Sequence, residues 1–440
     1  MPNRPCQRGL SLIAAALLFL QGCAVSSSEI VPLGEGTLPA KLQQEQDELR
    51  AETQRAHQYY VDRRAFYESP ALEAYLQEIA QKLVPNLQLD ENTKIQFKVL
   101  RDPTLNASAM LTGHIYFHSG IFSKLKNEDQ LAFVMAHEIS HVQRRDILYY
   151  VQNLKRKTVS FKLADIILTP AASMFGAGGL SSLGLSLMYA GSVTGYGREK
   201  ESAADALGIE KLLAAGYDPD ASLSFFDDLL NEKNNYQKGL DIFFLSSHPS
   251  NERRKNEVRV WMAANQGRID TLDIIEDRTD RYRQLTYELR RENAILNESF
   301  GRFYHALDDI QSVLAEKPSD PVAHYYQGLI YLHMTERRQK IKDELSKERW
   351  KEVNSVERVK QEGEWLAAAI QSFQRSIDLD GAYAPPYKGM GEYYLKKKMF
   401  KEAESSFKRY LELAPQALDR RSVQRYLKDI SSPAALPEKL

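Results

Sequence analysis

The sequence predicts a mostly α-helical chain in two parts: an α+β domain with a small β-sheet, then an array of helical repeats. Three observations predict this. Apolar residues recur at helical spacing, as at Leu72, Tyr75, Leu76, Ile79 and Leu83. Two short stretches, Ile95-Phe97-Val99 and His114 to His118, read as strands. The last third repeats small and large residues in register. With 440 residues, the chain has room for two or three domains and a sizeable core. Its 58 basic and 59 acidic residues give no basic excess that would suggest nucleic acid.

The N-terminus reads as a signal. Arg4 and Arg8 precede the apolar run Leu10 to Leu20. At about 11 residues it is too short to span a bilayer and suits a signal-peptide core. Leu20-Gln21-Gly22-Cys23 resembles a bacterial lipobox, which would make residues 1–22 a signal peptide and Cys23 the lipidated first residue. A plain signal peptide or an uncleaved anchor is the alternative, because Gln21 is an unusual occupant. The mature chain would then hold Cys23 alone, so no internal disulfide could form. Ala24 rather than an aspartate follows, which by resemblance to bacterial lipoproteins favours the outer membrane with the protein facing the periplasm.

Residues 23–41 are small and polar with Pro and Gly, and read as a tether. Charged, helix-forming sequence follows from Leu42 to Phe66, and a second helix is expected from Pro70 to Leu83. Asp102-Pro103 and Asn106 make a turn between the two strands. The strand at Ile115, Tyr116 and Phe117 is expected to be an edge that offers backbone partners to an extended substrate. His114 and His118 are read as ordinary strand residues. Asn127-Glu128-Asp129 then starts a helix with Leu131, Phe133, Val134 and Ile139 on its core face.

That helix carries His137-Glu138-Ile139-Ser140-His141. Histidines at i and i+4 share one helix face and can grip one Zn²⁺. A glutamate between them can take a proton from an attacking water and deliver it to a leaving amine. One such ion per chain is expected. Zinc needs a third protein ligand. The places where a third histidine six residues on would need a glycine between hold Ile147 and Arg144, so that arrangement is excluded.

The run Asn106-Ala107-Ser108-Ala109, Gly113, Ile115-Tyr116-Phe117, Ser119-Gly120, Leu125 and Asn127 to Ala132 into the motif resembles one metallopeptidase family. This family contains the CAAX prenyl endopeptidases and the bacterial heat-shock membrane protease. Leu111-Thr112-Gly113 departs from its usual Pro-Gly-Gly, and Asp146 stands where it often has histidine. The resemblance implies a gluzincin-like domain over residues 42–275. It implies Glu201 as third metal ligand, within Glu201-Ser202-Ala203-Ala204-Asp205, and Asp205 as the residue that holds a ligand histidine in its tautomer. Glu199 is the rival ligand. Ser247-His248-Pro249 with Arg254 resembles the family's histidine-proline-x-x-x-x-arginine signature. His248 has three open roles: oxyanion donor, occupant of zinc's fourth position that keeps the enzyme latent, or helix cap. Arg254 is expected to pair with an acid near the metal or to help bind substrate. Residues 166–197 carry no charge and are read as buried or lid segments, with a membrane contact as the alternative.

Residues 276–432 read as a helical linker and repeats. Ala369, Phe373 and Gly381 recur as Ala403, Phe407 and Pro415, each 34 residues later. Tyr387, Gly391 and Tyr394 stand where a tetratricopeptide repeat wants an aromatic, a small residue and an aromatic. An earlier copy, with Gly328 and Tyr331, is split by a charged insertion around Glu336 to Glu364. Such stacks bind peptides or partner proteins.

The combination of a lipobox, this domain and these repeats resembles periplasmic members of the family. It implies a zinc endopeptidase, attached to the outer membrane as a lipoprotein, that degrades misfolded or stalled outer-membrane proteins. It also implies repeats that recruit substrates or the barrel-assembly machinery. The alternative is a chaperone-like or scaffolding protein with a latent metal site.

Overall fold

A computed structural model describes residues 30–157, 197–236, 251–271 and 278–431. The signal, Cys23, the uncharged stretch up to residue 196 and His248 lie outside the described residues.

Helix α1 spans Ala40–Asp62 and α2 spans Pro70–Leu83. The α2 start follows from local chemistry: the Ser69 hydroxyl accepts from the Leu72 N–H, and Pro70 fills the first turn, where no donor is needed. A small hairpin, β1 (Gln88–Asp90) with β2 (Thr93–Lys94), precedes the main sheet. The sheet comprises β3 (Gln96–Leu100), β4 (Ala107–Ala109) and β5 (His114–His118), in the order β3-β5-β4. Strand β5 pairs in parallel with β3 and antiparallel with β4. Gly113, at φ 85°, turns the chain into β5, and a Cβ there would lie 2.2 Å from the Lys94 carbonyl oxygen.

This order corrects the edge-strand expectation. Ile115, Tyr116 and Phe117 lie in the central strand and are wholly buried. The edge strands are β3 and β4, and the three residues of β4 are buried. Ala-Ser-Ala has neither the length nor the branched side chains that mark a strand in sequence, so its pairing was not legible.

Helix α3 (Ser119–Lys124) leads into α4 (Glu128–Gln143), which carries the histidine motif. The Asn127 side chain accepts from the Gln130 N–H at 2.9 Å, and Glu128 and Asp129 occupy the positive end of the helix. Every residue from Glu128 to Val142 is buried. The helix is covered on one side by the sheet and α2, and on the other by α6 (Arg198–Ala214) and α7 (Asp220–Asn235). Helix α5 (Asp146–Lys157) follows it, and α8 (Asn251–Ala264) and α9 (Gln266–Ile269) close the region.

The tether expected over residues 23–41 does not extend through residues 30–41. From Ile30 on, the chain is docked. Ile30, Val31, Leu38 and Leu42 pack on Ile147, Leu148 and Val151 of α5. The Leu33 N–H donates to the Gln143 carbonyl, an otherwise unsatisfied group at the end of α4, at 2.7 Å.

Helix α10 (Thr279–Ser299) is shared between the two parts. Tyr282 and Leu289 belong to the same apolar core as α4, and the Tyr282 hydroxyl donates to the Phe122 carbonyl at 2.6 Å. The opposite side packs on α11 (Phe303–Glu316), where Asn293 and Asn297 donate to Asp309. A division at residue 275 therefore cuts ahead of a helix that the first domain needs.

Helices α12 (Pro321–Met334), α13 (Arg338–Glu344), α14 (Lys347–Ser355), α15 (Arg358–Leu379), α16 (Pro385–Lys396), α17 (Phe400–Leu413) and α18 (Arg420–Ser431) complete the chain. Two hairpins, α12 with α15 and α16 with α17, share one packing rule. Phe373 fills the space over Gly328 and Gly389, and Phe407 that over Gly391; a Cβ at any of these glycines would lie within 2.6 Å of a ring atom. The charged insertion folds. Ile341 and Leu345 bury against α11, and Glu344 accepts from the Tyr304 and His305 N–H groups at its first turn.

One stability consequence arises under α1. His114 lies buried below it, its ring 4.4 Å from that of His57, while His57 Nδ1 contacts the Tyr116 hydroxyl at 2.9 Å. Burial, then the charges of His57 and Lys98, lower the His114 pKa from 6.5 to about 4. The folded protein thus holds His114 neutral where the unfolded chain would bind a proton. Its contribution is full above pH 6.5 and is lost as pH falls toward 4. Melting temperatures measured across that window should fall with pH, and less steeply for His114→Gln; equal slopes would remove His114 from this role.

Candidate metal centre

The i, i+4 spacing on α4 points His137 and His141 the same way, with their Nε2 atoms 3.0 Å apart. Helix α6 crosses α4 closely because Ala204 and Gly208 are small; a Cβ on Gly208 would lie 3.4 Å from the His137 backbone nitrogen. The crossing brings Glu201 to the histidines, its oxygens 3.6 Å from each Nε2. These three side chains offer ligand atoms within 4.8 Å of one another, the single such group among the described residues. Glu199, the rival, is exposed at the start of α6.

Each histidine is fixed from behind. His137 Nδ1 lies 3.0 Å from Asp205 Oδ1, and His141 Nδ1 lies 2.9 Å from Asp146 Oδ2. A carboxylate on Nδ1 favours the tautomer whose Nε2 lone pair is free to ligate. Arg254, on α8, closes the second layer. Its Nε and Nη2 donate to the two Asp205 oxygens at 2.7 and 2.6 Å, and Nη1 lies 3.1 Å from Glu201 Oε2. Arg254 is 2% exposed and pairs with these two acids, the first of the two expectations for it.

The electrostatics follow from burial and pairing. Burial would raise the Asp205 pKa, but Arg254 and His137 hold it at about 2. Burial would lower that of His137, but Asp205 and Glu201 raise it to about 9. For His141, burial and the neighbouring His137 prevail and lower it.

The donor set fits a small divalent cation. Glu138, Glu201 and Asp205 gather three buried carboxyl groups around one buried guanidinium, which pairs with Glu201 and Asp205. A tetrahedral ion with bonds of about 2.0–2.1 Å separates its donors by roughly 3.3–3.4 Å. The observed separations of 3.0, 3.6 and 3.6 Å bracket that value. Glu138, wholly buried on the same turn, stands beside the donors without belonging to the group.

Residues 70–262 match the family described as Peptidase family M48. That stretch, 193 of the 440 residues, is similar to M48 metallopeptidase domains. The putative beta-barrel assembly-enhancing protease of Vibrio cholerae is 32% identical over 196 residues, 43% of this chain and 39% of that protein. The beta-barrel assembly-enhancing protease of Escherichia coli strain K12 is 31% identical over 211 residues, 47% and 42% of the two chains. The mitochondrial metalloendopeptidase OMA1 of Schizosaccharomyces pombe is 29% identical over 180 residues, 41% and 50%. The matches thus span half or less of these relatives' own length.

Asp146, which the sequence marks only as a departure from the family's usual histidine, has its role beside His141 only in the structure. It was visible as a carboxylate five residues after His141, just past the helix end, but spacing could not show that the chain turns back there.

Proposed function

We propose that this domain is a zinc-dependent endopeptidase of the bacterial periplasm. One observation carries the reading: two histidines and a glutamate converge in a buried site with a glutamate of the same helical turn beside them. His137, His141 and Glu201 would hold the ion. Bound zinc supplies Lewis-acid polarisation of the scissile carbonyl and makes water more acidic. Glu138 takes the proton of the attacking water on a carboxylate oxygen and passes it to the nitrogen of the leaving amine. Asp205 orients His137, and Arg254 keeps Asp205 ionised and pairs with Glu201.

The substrate strand would add to β4. The pairs Asn106 with His118 and Met110 with His114 are hydrogen-bonded, so by alternation the backbone groups of Ala107 and Ala109 face away from β5 toward the outer edge of the sheet. His248 keeps its three readings: oxyanion donor, ligand that holds the enzyme latent, or cap.

The C-terminal hairpins are tetratricopeptide repeats in this reading. They would recruit envelope proteins, stalled or misfolded, or the barrel-assembly machinery. Lipidation at Cys23 would attach the protein to the outer membrane. Six residues lie between Cys23 and docked Ile30, seven Cα–Cα steps, so the anchor would lie within about 25 Å of that point. The alternative, a scaffolding protein with a latent site, predicts metal without hydrolysis.

The test is the metal content of the purified mature protein together with casein cleavage. We expect about one zinc per chain and cleavage abolished by a chelator. Zinc without cleavage would favour the alternative; no zinc would overturn the metal assignment.

A further inference from the structure

Helix α4 ends at Arg145, one residue past its C-cap, in the left-handed conformation, φ 55°, that commonly terminates a helix. Here the N-terminal segment holds it: the Arg145 guanidinium donates to the Val31 carbonyl, and the Leu33 N–H donates to the Gln143 carbonyl at 2.7 Å. The turn reverses the chain at once and places Asp146, the first residue of α5, beneath His141. Asp146 is wholly buried. Its Oδ2 lies 2.9 Å from His141 Nδ1 and 3.1 Å from Arg144 Nε, and its Oδ1 lies 3.4 Å from Lys200 Nζ. Lys200 neighbours the candidate ligand Glu201 in the chain. One carboxylate therefore touches a ligand histidine at the end of α4 and the start of the helix that brings the third ligand.

We propose that Asp146 is a positioning residue for the metal: it fixes the tautomer and ring angle of His141 and, through Lys200, ties that histidine to the helix carrying Glu201. The docked segment at Val31 and Leu33 holds the turn that aims it. This gives each histidine its own carboxylate, Asp205 for His137 and Asp146 for His141. The inference rests on the metal reading above.

The test is zinc affinity of the full mature chain, by competition with a chromophoric chelator, alongside the visible spectrum of the cobalt-loaded protein and the melting of the metal-free protein. Asp146→Ala should weaken zinc by about 10–100-fold, the range for loss of a group behind a ligand histidine, and should alter the cobalt spectrum. Asp146→Asn keeps an acceptor for the Nδ1 proton and should recover much of that loss. A purely structural Asp146 would show the reverse pattern: metal-free melting lowered by both substitutions, with asparagine no better than alanine in zinc affinity, and that result overturns the proposal. So does an Asp146→Ala protein that binds zinc as tightly as its parent, while leaving the metal centre standing. A parent that binds no zinc overturns both.

Discussion

Glu138→Gln is expected to keep its metal and lose hydrolysis by about 10²–10⁴-fold, the usual contribution of a general base. The substitution changes no ligand: His137, His141 and Glu201 keep their positions, and glutamine has nearly the shape of the glutamate it replaces. It removes the group that takes a proton. Burial makes the effect clean, because Glu138 is wholly enclosed on α4 and solvent offers no ready substitute base at that point. Arg254 nearby loses one of three carboxylates, which leaves Asp205 and Glu201 to pair with it. Metal analysis and casein turnover on the same preparation separate the two effects. Turnover above about a tenth of the parent's would remove Glu138 from this role. Loss of metal in step with activity would mean that the residue supports the site rather than the reaction.

The parts of this site legible in sequence are those that local geometry determines. Histidines four apart on a helix must share a face, and the structure places His137 and His141 so. The partner helix could be named from Glu201 and Asp205 only through a family resemblance. Their meeting with α4 depends on a close crossing at Gly208, which no local pattern encodes. What escaped reading has a common cause, namely backbone reversal and pairing across distance. Strand β4 is three small residues and becomes a strand only because β5 lies beside it. Asp146 reaches His141 only because Arg145 takes a left-handed turn. The segment from Ile30 to Leu38 looks like a linker by composition, yet a few apolar residues and two hydrogen bonds fasten it to the end of α4. The charged insertion after α12 looks solvated, yet Glu344 finds the unsatisfied N–H groups of α11. In each case a partner far along the chain decides the outcome, and composition records only what the segment would do alone.

A chain ending at Glu276 is expected to lose the fold of the domain that carries His137 and His141, not merely the C-terminal helices. Tyr282 and Leu289 are each 1% exposed in the core that contains α4. Deleting a buried large aromatic typically costs about 3–5 kcal/mol and a buried leucine about 2–5 kcal/mol. A whole domain is stable by only about 5–15 kcal/mol. The same cut removes Arg278, which pairs with Asp129 at 3.2 Å, and Arg281, which pairs with Glu78. Both arginines also approach Glu128, at 3.9 and 3.7 Å, a carboxylate wholly buried at the first turn of the metal helix; Lys82, at 3.9 Å, would be left as its nearest cation. Circular dichroism should show the shortened protein without a cooperative melt and without stoichiometric zinc. A chain ending at Gly301 retains α10 and should melt cooperatively, since the face then exposed toward α11 carries Asn293 and Asn297 and tolerates water. A cooperative melt of the Glu276 form near the temperature of the full chain would show that α10 belongs to the repeats alone. The difference decides how the repeats can be tested. Activity lost on cutting at Glu276 would report unfolding. Activity gained on cutting after Gly301 would report that the repeats restrain access to the cleft, and activity lost there, in a protein that still binds zinc, would report that they present the substrate.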